Sequence, residues 1–203
     1  MHQSDVTPPF DSLSRDGLLA VAVQLSPGKR PKRKVRELHA QDLVTFANTR
    51  WQLRLAAERN LPLSIHCLKA WGRLEELLRL EPRPARGFLL HSYGGPVEMV
   101  PSLTQLGAYF SFPGYYLHER KARQRETFRH IPPERLLVET DAPDQPLPET
   151  LNRHPLANPK TGEPVNHPAN LQAVYDGLAT VLEVPLTTLT TQVEENFRRL
   201  FLA

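Results

Sequence analysis

The sequence predicts an α/β protein built on a parallel sheet. Short apolar runs of strand length recur along the chain, an amphipathic segment separates most of them, and proline or glycine punctuates the joins. Parallel neighbours need a crossover connection, usually a helix, so this alternation implies a series of βαβ units. At 203 residues the chain suits a single domain over 1–203, shorter than the roughly 250 residues of a closed eight-stranded α/β barrel.

The elements follow in order. "GLLAVAVQL" over 17–25 reads as the first strand, with a basic loop after it. "ELHAQDLVTFANTRWQLRLAAERN" has Leu43, Phe46, Ala47, Trp51, Leu53, Leu55 and Ala56 at helical spacing, which predicts an amphipathic helix ending near Asn60. Then come strand "LPLSIHC", helix "AWGRLEELLRL", strand "GFLLHS", a short helical segment "PVEMVPSLTQLG", strand "AYFSF", helix "ERKARQRETFRHI" and strand "RLLVETD". A proline-rich loop over 142–169 breaks the alternation, and two last helices are expected over 168–182 and 186–202. A loop of that length inside a compact domain is commonly functional.

Composition excludes some classes. With 40% apolar and 23% charged residues, neither wholesale disorder nor a membrane protein is indicated, and no apolar run reaches the roughly 20 residues of a membrane span. The start "MHQSDVTPPFDSLSRDG" has no basic segment followed by an apolar core, so no secretory signal is read and a cytoplasmic location is expected. One cysteine, Cys67, rules out an internal disulfide framework; beside His66 it reads as a small buried side chain ahead of a nucleophile. The net charge of +3 is small, yet "GKRPKRKVR" gathers six of the 25 basic residues between Lys29 and Arg36. That run reads as a solvated loop, a localisation-like signal or a phosphate-contacting loop.

Three strands end on polar residues that apolar packing does not explain: His66, His91 and Asp141. The C-termini of parallel strands face one side, so these side chains can share a pocket although 25 and 50 residues separate them. Imidazole and carboxylate form an ordinary ligand set for a catalytic divalent cation, and an aspartate also serves as a general base. Taken singly, each has a plainer reading, a hydrogen-bonded histidine or a helix-capping aspartate. Glu139 shares the phase of Asp141, and alternation does not say which of the two reaches a metal. His39, His118, His130, His154 and His167 fall in helices or loops, with His154 and His167 expected near the strand ends. "SYGGP" and "FPGYY" offer backbone donors, while Gly94 and Gly95 read equally as a tight turn.

With "LPLSIHCLKAWGRLEELL", "GFLLHSYGGPVEM", "LGAYFSF", "RLLVETDAPD" and "VEENFRRLF" all present and in order, the chain resembles the TatD family of metal-dependent deoxyribonucleases over roughly residues 41–201. The resemblance implies a TIM-barrel-like metal-dependent hydrolase fold, hydrolysis of DNA phosphodiester bonds, and a divalent cation such as Mg, Mn or Zn that acidifies the attacking water. It implies that His66, His91 and Asp141 are metal ligands, with Asp141 also the catalytic carboxylate. Lys29, Arg30, Lys32, Arg33 and Lys34 would then face substrate phosphates from a loop after a barrel strand.

The chain also departs from that family. It contains no His-x-His, and "VQLSPG" places Gln24 where the family carries a Glu that bridges two metals. The expectation is therefore an incomplete barrel that keeps the last five strands and lacks the first three, family-like over 41–203 and divergent over 1–40. Two further readings stand beside the nuclease: a catalytically impaired truncated homologue that binds nucleic acid, and a hydrolase of another ester or amide. Unpaired strand edges of an open barrel invite oligomerisation, and no membrane partner is expected.

Overall fold

A computed structural model describes residues 21–25 and 40–202, with side chains from Asn48 onward. Five strands form one sheet in the order of the chain, β1 (Val21–Leu25), β2 (Leu63–Cys67), β3 (Phe88–His91), β4 (Ala108–Pro113) and β5 (Leu136–Glu139), each parallel to the next. The helices are α1 (Ala40–Arg59), α2 (Trp71–Leu80), α3 (Val100–Gln105), α4 (Ala122–Arg129), α5 (Leu171–Leu182) and α6 (Leu186–Phe197). The parallel α/β sheet is as predicted, and among the described residues it stays open, with β1 and β5 as its edges. The basic run Lys29, Arg30, Lys32, Arg33 and Lys34 lies outside the described residues, as does His39.

Alternation decides which side chains build the core. In β2, Leu63, Ile65 and Cys67 are buried while Ser64 and His66 are half-buried; in β3, Phe88 and Leu90 are buried while Leu89 and His91 are half-buried. Successive residues of a strand face opposite sides, so the apolar set packs on one face and leaves the histidines on the other. Strand β4 is buried throughout, and Phe112 sets its ring edge-on to Tyr116 and Phe128 at 5.8 and 5.0 Å. Helix α2 adds Trp71, Leu74, Leu77 and Leu78 from one face.

Polar ties fix the helices. Arg50 and Arg54, one turn apart on α1, donate to the two oxygens of the buried Glu81 carboxylate at the end of α2, at 2.5 and 2.7 Å. The fully buried Asn196 of α6 donates to Pro133 O at 2.7 Å and to Leu136 O at 2.8 Å, so the side chain of the closing helix grips the start of edge strand β5. Gly87 (φ +93°) leads into β3 where a Cβ would lie 2.3 Å from Gly107 O, a position open only to glycine.

Several local expectations shift. Trp51, counted on the apolar stripe of α1, is 47% exposed, so that stripe is carried by Leu53 and Ala56. The segment after β3 opens with a 3-10 turn (Val97–Met99), as does the one before α4 (Glu119–Lys121). The long loop holds a two-stranded hairpin, β6 (Leu156–Ala157) with β7 (Pro164–Val165). The chain after α6 winds into a wider π turn, Arg198–Leu202.

Cys67 is 5% exposed, and burial pushes its thiol up to about 11. The reading as a small core side chain therefore stands. Native protein at pH 8 is expected to react with a disulfide reagent at least ~100-fold more slowly than urea-unfolded protein, because roughly three units separate that pH from the thiol's ionisation. Equal rates would refute the burial of this side chain.

Candidate functional site

The strand register brings the two strand-end histidines together. Gln24, His66 and His91 are successive partners across β1, β2 and β3, one rung of the sheet at its C-terminal end. The rings of His66 and His91 lie 5.5 Å apart. Strand β2 runs one residue past His66, to Cys67, whose side chain turns to the opposite, core face.

Strand β5 stops at Glu139, and Asp141 sits two residues beyond it in the left-handed region (φ +57°), which Asp tolerates better than most residues. This turn sends the two acids to different nitrogens of His91. Glu139 takes one nitrogen of His91, Oε2 to Nδ1 at 2.8 Å, and Asp141 faces the other, Oδ1 to Nε2 at 3.0 Å. The imidazole is clasped from both ends.

Further side chains hold the carboxylates; sequence reasoning marks "SYGGP" with Ser92 and "FPGYY" with Tyr116 for backbone donors and gives none of these side chains a role. Ser92 (φ +47°) donates its hydroxyl to Glu139 Oε1 at 2.5 Å and its amide to Ser111 Oγ at 3.0 Å, while Tyr116 donates to Ser92 O at 2.7 Å. Gln145 (φ +50°) donates its amide to Ser92 Oγ at 3.0 Å and to Asp141 Oδ2. Asn166, buried in the long loop, donates to Thr140 O at 2.6 Å and Gln145 O at 3.1 Å, pinning the loop to the turn that carries Asp141. The sequence signals for these side chains were the adjacency of Ser92 to His91 and of Gln145 to "ETDAPD".

The two imidazoles are driven apart electrostatically. Burial lowers the pKa of His66, and the neighbouring His91 lowers it further, so His66 favours the neutral ring with a free lone pair. At His91 burial is the largest single influence and also works downward, but the hydrogen bond and charge of Glu139, with the charge of Asp141, outweigh it and leave the pKa raised. With both nitrogens facing carboxylates, the protonated ring donates at both ends, and a cation held at Nε2 would displace the proton there.

The donor chemistry suits a divalent cation. Ligands held at about 2.1 Å and at right angles about a metal are roughly 3 Å apart, and Nε2 of His91 and Oδ1 of Asp141 stand at that separation. Among the described residues, however, no three His, Cys, Asp or Glu side chains converge as a ready-made cluster. His91 and Asp141 are spaced as one edge of such a coordination shell would be, with the His66 ring 5.5 Å from that of His91.

The other described histidines make contacts of their own. His118 makes a hydrogen bond with Pro146 O at 3.1 Å, His130 lies near Glu126 at 3.3 Å, and the rings of His154 and His167 face each other at 5.7 Å. Gly95 has a packing reason, since a Cβ there would meet the Tyr93 ring at 2.6 Å. Beside Gln145, a cleft of about 800 Å³ opens between Tyr115, Arg120 and the loop residues Pro146 and Asn152.

The chain is similar to known proteins in both sequence and fold. The chain is 35% identical over 153 residues to the "3'-5' ssDNA/RNA exonuclease TatD" of Escherichia fergusonii, covering 74% of this chain and 55% of that protein. It is 30% identical over 150 residues to the "Uncharacterized metal-dependent hydrolase YabD" of Bacillus subtilis, with 74% and 54% covered. The chain thus spans about half the length of the curated relatives it matches. Among solved structures, the TatD homologue YjjV of Escherichia coli superposes with a TM-score of 0.69 at 21% identity, over 90% of this chain and 62% of that one. A TatD family hydrolase from Entamoeba histolytica gives 0.65 at 18%, over 82% and 59%. These neighbours share the fold, a TIM-barrel-like hydrolase architecture of which the open five-stranded sheet is a part. The sequence profile of the family described as "TatD related DNase" matches residues 38–202, and the chain belongs to that family.

Proposed function

We propose that the chain is a divalent-metal-dependent hydrolase of nucleic-acid phosphodiester bonds, acting on single-stranded DNA or RNA as its named relatives do. The observation that carries this reading is the clasp on His91, which sets an imidazole nitrogen and an Asp141 oxygen 3.0 Å apart at the C-terminal end of a parallel sheet. His66, His91 and Asp141 would hold the cation. Bound there, it would polarise a phosphoryl oxygen and acidify water.

The chain's own residues do the rest. Glu139, by accepting from Nδ1, orients the His91 ring so that Nε2 faces the reacting centre. Ser92 and Gln145 hold Glu139 and Asp141 so that neither carboxylate must reorganise during reaction. Asp141 is the group set to take a proton from the attacking water. In the adjoining cleft, the Tyr115 ring has Lys121 Nζ at 4.9 Å and Arg120 Cζ at 5.3 Å, an aromatic face between two cations that suits an unpaired base and its phosphates. The basic run Lys29, Arg30, Lys32, Arg33 and Lys34 is assigned to further phosphate contacts.

The test is cleavage of end-labelled single-stranded DNA and RNA in Mg, Mn or Zn. Activity is expected only with added cation, to vanish with a chelator and to return when cation is restored. Turnover that persists in chelator would sink the metal-dependent reading.

A further inference from the structure

A second cavity lies at the C-terminal end of the sheet, beyond β2 and β3. About 180 Å³ in volume, it is bounded by Lys69 beyond β2, the Gly94–Gly95 turn beyond β3, and Arg123 and Gln124 at the start of α4, with Trp71 as an apolar wall. Lys69 is three residues past His66 and Gly94 three past His91, so the loops that carry the candidate ligands run on to form its rim.

Its charge is one-sided. Among the described residues no carboxylate lines it, and neither the Lys69 ammonium nor the Arg123 guanidinium has a hydrogen bond or ion pair. Both side chains are exposed. Several other surface cations are paired: Arg79 with Glu75, Arg129 with Glu183, Arg153 with Asp176, Arg198 with Glu194. Two unpaired cations over one small cavity raise the local concentration of anions, and a volume of this size admits a phosphate with its water. Guanidinium and ammonium together supply a fork and a point charge, the usual pairing for phosphate.

We propose that this cavity is an oxyanion subsite that seats a backbone phosphate of the bound strand, next to the phosphodiester presented to His91 and Asp141. The proposal rests on the nucleic-acid reading above for the identity of its ligand. Its role is to hold the strand in register, so it acts on binding and leaves the bond-breaking step to the residues around His91.

The test measures binding of a labelled single-stranded oligonucleotide to the full chain in chelator, which prevents turnover. The double variant Lys69→Ala/Arg123→Ala is expected to bind about tenfold more weakly, as fits the loss of charged hydrogen bonds. The slope of log affinity against log salt should shrink by about 0.7 to 1.4, as fits a strand with one or two fewer of its phosphates neutralised. The charge-matched control Arg59→Ala/Arg198→Ala should keep the slope, and Lys69→Arg/Arg123→Lys should restore most of the affinity. In parallel, inorganic phosphate is titrated against the fluorescence of Trp71, with a saturable change expected in the native chain and not in the double variant. Unchanged affinity and slope in the double variant, with Asp141→Asn still abolishing cleavage, would overturn the subsite and leave the hydrolase reading intact. If the native chain neither binds nor cuts the oligonucleotide while phosphate binding still depends on Lys69 and Arg123, the anion site stands and the nucleic-acid reading falls.

Discussion

Asp141→Asn is expected to lower cation-dependent cleavage by more than about a hundredfold, beyond the 10- to 100-fold typical of residues that only support a metal ligand. The substitution keeps the size of the side chain and removes its charge. It also forces a choice, because Asp141 accepts from Gln145 at Oδ2 and presents Oδ1 beside Nε2 of His91, where the two would hold the cation. An asparagine has one oxygen and one amide nitrogen, so either the Gln145 amide or the cation would meet an N–H. Glu139→Gln should cost less, within that 10- to 100-fold range, because it misorients His91 without removing a ligand. Cleavage assays with matched circular dichroism spectra check both. Full activity in Asp141→Asn would remove this carboxylate from the reaction.

The largest stability effect from a single polar side chain should come from Asn196→Ala, at about 2–4 kcal/mol. Two carbonyls lose their shared donor: the buried Leu136 O, at about 1–3 kcal/mol, and Pro133 O, which keeps the Leu136 N–H and loses only one bond of about 1 kcal/mol. Gln192 and Arg199 lose the acceptor Oδ1 that they share, at 3.1 and 2.6 Å. Against the 5–15 kcal/mol of a typical domain this is a large fraction. At a urea slope near 2 kcal/mol/M it corresponds to a fall of about 1–2 M in the unfolding midpoint. The exposed neighbour Glu195→Ala is the control and should move the midpoint little, as surface changes typically stay within about 0.5 kcal/mol. A shift no larger than the control's would show that α6 does not depend on this clasp.

Periodicity and punctuation were enough to read the five strands of the main sheet, the helices between them, their parallel pairing and the end of the sheet at which His66 and His91 stand. Those properties are local: a strand's alternation is written in consecutive residues, and parallel strands must send their C-termini to one face. The core role of Cys67 followed from the same alternation, one residue out of phase with His66. "VEENF" stood out as a motif, while the reason for its asparagine, two carbonyls at the start of β5, lies 60 and 63 residues away in the chain.

The site's inner order depended on convergence that no local pattern encodes. Glu139 and Asp141 share a phase, and pattern alone left open which of them is the functional acid. The backbone turns at Asp141 with φ +57°, and the two acids end up on opposite nitrogens of one ring. Ser92 and Gln145 are ordinary polar residues in sequence, made into supports because left-handed turns at φ +47° and +50° aim their side chains at the carboxylates. The unpaired state of Lys69 and Arg123 is likewise a relation among three loops. Periodicity specifies which face a side chain takes within its own element, whereas a contact between elements depends on where turns, crossovers and packing finally deliver each one.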